Sequence, residues 1–170
     1  MQSDELRAIQ APLKDRYRQD PDAAIVTLQA HGRLGDGITC SVQTGRALAT
    51  AGLHPASGGD GSALCSGDML LEALAACAGV TMQAVAASLE IPVEGDVLVD
   101  GDLDFRGTLA VDREAPVGFR SIRLRFELDT DADEAAVAKL VELTERYCVV
   151  LQTLAGAPAL SVDWQRAPGA

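Results

Sequence analysis

Four cysteines, at positions 40, 65, 77 and 148, are the side chains of this chain best suited to nucleophilic or redox chemistry. As thiolates they would attack electrophilic oxygen or sulfur, or ligate a soft metal. They form no CxxC pair, and the only histidines, His31 and His54, lie in different segments from most of them, so no zinc-ligand spacing is present. Cys77 stands midway along the run LEALAACAGV. The plain use of a cysteine there is as a small apolar filler of a tight gap. Cys148, in ERYCVV, falls at a junction between two helical patterns. A helix N-terminus favours a thiolate through its unpaired N–H groups, although simple core packing would equally account for the residue. Cys40 lies in a strand-like run and Cys65 just ahead of a long helix; neither has a charged setting.

The elements that must hold these residues can be read from periodicity and punctuation. Leu6, Ile9, Leu13 and Tyr17 predict a helix over 3–19, capped by Ser3 and kinked at Pro12. Residues 24–29 read as a strand, the glycine-bearing tract 32–37 as a turn, 38–44 as a second strand and 46–50 as the start of a third. The loop 57–62 is rich in glycine but lacks the Lys-Ser/Thr ending of a phosphate cradle, and reads as a flexible connection. A long helix over 66–89 follows, with Ser66 as its cap, Asp68 in its positive first turn and Pro92 closing the segment. Apolar residues surround this helix, so either the fold wraps it completely or a second chain covers one face.

Strand runs at 93–109 and 119–129 are joined through Pro116 and Gly118 as a hairpin, the second alternating Ile122, Leu124, Phe126 and Leu128 with charged residues. Residues 133–147 form an amphipathic helix with Val137, Leu140, Val141 and Thr144 on one stripe. A short helix over 149–154, stopped by Gly156 and Pro158, precedes a last strand at 159–164. Strand runs set apart from helices point to an α+β class. The 170 residues fit one domain, with a core over 24–164 and a helical extension over 1–20.

Composition narrows the function. Apolar residues make up 48% and aromatics 4%, so the core must be built from Ala, Leu and Val, which allow close backbone approach. A net charge of −11 argues against nucleic acid and anionic membrane as partners. The longest apolar stretch, 69–89, is interrupted by Glu72 and Gln83 and reads as a core helix, not a membrane span. The first residues lack a secretory pattern, which predicts a cytoplasmic protein with reduced thiols.

The segment GGDGSALCSGDMLLEALAACAGV, residues 58–80, resembles the OsmC/Ohr family pattern of a polar loop, an acidic helix start and a helix carrying a cysteine. ERYCVVLQTL, residues 145–154, resembles that family's second cysteine motif, and the similarity runs over about 24–164. The resemblance implies an OsmC-like fold: an intertwined homodimer with long central buried helices wrapped by antiparallel β-sheets. It implies a stress-response antioxidant enzyme, a thiol-dependent peroxidase that reduces organic hydroperoxides to alcohols through a Cys77 sulfenic acid and a Cys77–Cys148 disulfide. No cofactor is implied beyond an external dithiol reductant, of lipoyl type in the better-known members.

A thiol buried among alanines needs help to ionise. The family supplies an arginine held by an acidic residue. Arg33 matches that arginine best, with Arg46 second, and Asp68 stands nearest the family's glutamate, one methylene shorter; Glu72 lies one turn further on. Val149 also replaces a proline that often follows the second cysteine. These departures support an alternative, an OsmC-like dimer that binds a small apolar or acyl ligand without efficient turnover.

Overall fold

The computed structural model describes residues 49–110 and 112–166, the backbone of 31–34, 39–44 and 47–48, and the isolated positions Asp4, Ala8, Ala11 and Gln19. Strands β1 (His31–Leu34), β2 (Thr39–Thr44) and β3 (Ala47–Gly52) lead through a 3-10 turn at Pro55–Ser57 to a short β4 (Leu64–Cys65). Helix α1 (Ser66–Leu89) follows, then β5 (Glu94–Leu103), one helical turn α2 (Phe105–Thr108), β6 (Phe119–Asp129), α3 (Glu134–Tyr147) and α4 (Val149–Ala155). The strands form two sheets, one ordered β1-β2-β3-β4 with only the last pair parallel, the other an antiparallel β5-β6 pair.

The β5-β6 sheet is the platform on which the helices rest. Its pairing sets Val97 opposite Phe126 and Val99 opposite Leu124, so one face presents apolar side chains while Arg123, Arg125 and Glu127 face outward. Helices α1, α3 and α4 pack over the apolar face in two joined clusters. Met82, Val85, Ala86 and Leu140 form the first, against Ile91, Phe126 and Leu128. Leu74, Ala78 and Cys148 form the second, against Val97, Leu124 and Leu151. Gly79 of α1 faces Val97 of β5, where an added Cβ would make ordinary contact with the Val97 methyl at 3.6 Å.

Several sequence expectations are corrected. Residues 32–34 belong to β1 and not to a turn: glycine permits a turn but does not require one, and here the backbone pairs with β2, Arg33 opposite Ser41. The cap of α1 is Cys65, which makes no side-chain capping bond, so Ser66 is the first helical residue. At the other end Glu90 takes a left-handed conformation with its N–H bonded to Ala86 and Ala87 carbonyls, ending the helix before Pro92.

The apolar run 93–109 is not a single strand. It breaks at Leu103 because Asp104 accepts from the Arg106 N–H at 3.1 Å and caps a helical turn. Residues 159–164 pair with no strand among the described residues and lie in the open, with Leu160, Val162 and Trp164 84% to 95% exposed. Among the described residues helix α1 is covered on one side only, leaving Val80 73% exposed, so those residues do not wrap it. By length and apolar content α1 could cross a bilayer, but here it lies on a sheet with Leu74 and Ala78 fully buried. Asp4, Ala8, Ala11 and Gln19 are helical, in keeping with a helix over 3–19; its other residues, the strand expected at 24–29 and Arg46 lie outside the described residues.

Candidate active site

Two chain segments bring Cys77 and Cys148 together. Helix α1 carries Cys77 on the face packed against the core, half-buried between Leu74 and Ala78. Cys148 is the single residue between α3 and α4, with no exposed surface. Its N–H bonds to the Thr144 carbonyl at 2.9 Å, ending α3, and its carbonyl accepts from the Gln152 N–H at 2.9 Å, starting α4. A brace holds the two helices in this arrangement, the Gln152 Nε2 donating to the Glu145 carbonyl at 2.8 Å. The extended conformation at Cys148 (φ −72°, ψ 105°) turns the first amides of α4 back toward α1.

That turn decides which thiol ionises. Burial raises the Cys77 thiol, but the Val150 N–H, the Cys148 thiol, the Thr81 hydroxyl and the Val149 N–H all donate to its sulfur, and together they bring it below its ordinary value. Cys148 goes the other way. Burial pushes it up, the Leu151 and Val150 amides lower it only in part, and the hydrogen bond and charge of Cys77 raise it further. The helix N-terminus expected to favour a Cys148 thiolate therefore serves Cys77 instead, because Cys148 is buried at the junction while the amides reach across to its neighbour. Both cysteines are free. The arrangement is an ionisable nucleophile in contact with a second thiol that keeps its proton, a pair able to pass from thiolate to disulfide.

Other sequence candidates lie elsewhere. Asp68 is exposed in the first turn of α1, nine residues before Cys77. Helical geometry sets it on the opposite side and about 14 Å away along the axis, so within one chain the two do not meet. Arg33 has its backbone in β1, and its side chain lies outside the described atoms. Cys40 is likewise placed only by its backbone, opposite Ala51 in β2. Cys65 is half-buried at the start of α1, beside Gly67, apart from the Cys77–Cys148 pair.

His54 accepts from the Ala56 N–H at 3.0 Å and stacks on Phe105, a structural role. Among the described residues no cluster of His, Cys, Asp and Glu could hold a metal. Sequence reasoning missed the donors to Cys77. The amides of Val149 and Val150 have no sequence signature, whereas Thr81 was visible as the residue four beyond Cys77 on one helix.

The OsmC-like protein family model matches residues 59–163, which takes in both cysteines. Among solved structures, the OsmC-like protein from Mycoplasma pneumoniae superposes with a TM-score of 0.67 at 18% identity, covering 78% of this chain and 89% of that one. A hypothetical protein from Aquifex aeolicus VF5 gives 0.61 at 19% identity, covering 83% and 96%. The organic hydroperoxide resistance protein OhrB of Bacillus subtilis gives 0.52 at 19%, covering 79% and 94%. Among curated proteins none matches. At these identities the superpositions speak for the fold alone, while the family match spans more than half of the sequence and both halves of the thiol pair. The chain belongs to the OsmC-like protein family, with an α+β fold shared with an Ohr protein.

Proposed function

We propose that this chain is a thiol-dependent peroxidase that reduces organic hydroperoxides to alcohols. The observation that carries the reading is the packing of two free thiols from separate segments, half-buried Cys77 against fully buried Cys148, and the electrostatics point the same way, with Cys77 drawn down and Cys148 pushed up. Cys77, as thiolate, attacks the terminal oxygen of ROOH. The O–O bond breaks, the alkoxide takes a proton and leaves as ROH, and Cys77 becomes a sulfenic acid. The Cys148 thiol then attacks that sulfur, water leaves, and a disulfide joins the two residues. An external dithiol, lipoyl-like in type, reopens it and is itself oxidised. The working compartment is the cytoplasm, where reduced thiols persist.

The enzyme works as a homodimer, and neither nucleic acid nor membrane is a partner. Support for the dimer comes from apolar surface that one chain leaves in water: Leu70 and Val80 along α1, and Leu160, Val162 and Trp164 at alternate positions near the C-terminus. A second copy covering Trp164 shifts its emission to shorter wavelength as protein concentration rises; emission that stays constant across the monomer–dimer range would count against that cover.

The second reading, an OsmC-like dimer that binds a small apolar or acyl ligand, is favoured by one observation. Among the described residues none of the groups acting on Cys77 is a cation. Mixing reduced protein with one equivalent of cumene hydroperoxide and following free thiols separates the two. The peroxidase loses two thiols rapidly, yields a Cys77–Cys148 peptide on mapping, and has no fast phase in Cys77→Ser. Thiol loss at the rate of free cysteine would sink this reading and leave the binding one.

A further inference from the structure

Helices α1 and α3 meet along two rows of side chains spaced four apart: Leu74, Ala78 and Met82 on α1, and Leu140, Thr144 and the capping Cys148 on α3. All six are 3% exposed or less. Leu140 packs in the cluster that holds Met82, and Cys148 in the one that holds Leu74 and Ala78. Thr144 is the middle rung, its Oγ1 3.6 Å from the Met82 Sδ. As the numbering rises along α3 it falls along α1, so the helices run antiparallel. A slip in their register slides Cys148 past Ala78 and the adjoining Cys77.

Packing of apolar side chains has no direction, so an apolar seam can slide. Thr144 interrupts this one. Among the described residues it is the single polar side chain buried so deeply. Its hydroxyl donates to the Leu140 carbonyl at 2.8 Å, which fixes the rotamer and sets the oxygen against the Met82 sulfur. Such a bond to the carbonyl four residues earlier slightly weakens a helix and tends to bend it. Valine has the same shape and no polar group to satisfy. A polar residue in an apolar helix seam, held at some cost in stability, is a means of fixing register.

We infer that Thr144 is a positioning residue for the thiol pair, its hydroxyl locking the register of α3 on Met82 of α1 so that Cys148 stays against Cys77. The inference rests on reading these two cysteines as the pair that closes a disulfide, and it names the side chain that aligns them. A disulfide accepts a narrow range of separations and angles. A seam free to slide therefore lowers the effective concentration of one thiol at the other.

The test is the equilibrium of the chain with a glutathione buffer, read by acid quench and mapping of the Cys77–Cys148 peptide. Glutathione disulfide takes two electrons and the two thiol protons, becoming two glutathiones, as the Cys77–Cys148 bond forms. Thr144→Val lowers the equilibrium constant about ten-fold, which is about 30 mV, while Thr144→Ser stays within about two-fold of the unsubstituted chain. Met82→Leu keeps the volume, removes the sulfur and lowers the constant as well. The double variant falls no further than the lower single one, because both groups act through one contact. Should Thr144→Val melt early, Met82→Leu carries the comparison.

An unchanged constant in Thr144→Val would overturn the inference even beside a lowered urea midpoint, since a merely structural threonine moves unfolding alone. Thr144→Ser falling as far as Thr144→Val, or losses that add in the double variant, would overturn it too. No hydroperoxide enters this readout. A chain that shows the Thr144 effect and leaves cumene hydroperoxide untouched keeps Thr144 and sinks the peroxidase alone. An unchanged Thr144→Val constant in an active peroxidase sinks Thr144 alone. A chain that forms no Cys77–Cys148 disulfide sinks the pairing and the inference together.

Discussion

Replacing Cys148 separates the two things its sulfur does. On the proposed mechanism it donates to the Cys77 thiolate before the reaction, and it closes the disulfide afterwards. Serine keeps a donor and loses the second role, whereas alanine loses both. The side chain is fully buried beside Leu74 and Ala78, so alanine leaves a small void costing on the order of 1–2 kcal/mol. That cost is tolerable for a domain of ordinary stability.

The effect on Cys77 is larger in rate than in fold. A hydrogen bond to a charged group contributes roughly 1.5–3 kcal/mol, and a half-exposed acceptor with a weak thiol donor takes the lower end, which is about ten-fold in thiolate population. Alkylation of Cys77 at neutral pH in Cys148→Ala is thus about ten-fold slower than in Cys148→Ser, which stays near the unsubstituted chain. With one equivalent of cumene hydroperoxide, both variants lose one thiol per peroxide where the parent loses two, and the sulfenic acid is trapped by dimedone. Equal alkylation rates in the two variants would refute the donor role. Two thiols lost in Cys148→Ser would refute the pairing.

Cys77 is held below the ordinary thiol value of 9.0 by its donors. On the proposed peroxidase reading, its reaction with hydroperoxide stays fast below that pH and falls only as pH drops through the lowered value; stopped-flow rates with a midpoint at or above 9.0 would contradict this. Leu140→Ala empties a fully buried position between Met82, Val85 and Ala86 and lowers stability by about 3 kcal/mol. Urea unfolding measures it, and a loss under about 1 kcal/mol would mean the cluster is not packed as described. Asp68→Asn removes a charge farther from Cys77 than the screening length of about 8–10 Å, so Cys77 alkylation changes by less than about two-fold. A ten-fold change would show that Asp68 reaches the thiol by a route outside the single chain.

The elements legible in the sequence were those whose cause is local. Helix α1 was legible from Asp68 in its first turn and Pro92 beyond its end, and α3 from its apolar stripe; the Asp133 cap of α3, which accepts from the Ala136 N–H at 2.7 Å, is seen in the structure. The alternation of β6 was equally plain, since one face needs a core and the other does not. What escaped depended on partners distant in the chain or too short to show a period. Residues 159–164 carry the alternation of a strand, yet a strand exists only beside an edge to pair with. The turn Phe105–Thr108 spans four residues and is set by one capping aspartate. At the site, the two cysteines were legible through family resemblance. The reason Cys77 ionises was not, because backbone amides have no letter and the roles of Val149 and Val150 follow from the path of the chain.

Cys148 ends one helix and begins the next with no residue to spare. A linker of even two or three residues would let the angle between α3 and α4 and the position of the sulfur vary separately; here they are a single variable. Any substitution that rotates one helix against the other also moves the thiol and the amides that feed its neighbour. A core residue such as Leu140, which packs among Met82, Val85 and Ala86 and touches no sulfur of the pair, is thereby put under the same geometric tolerance as the reacting thiols.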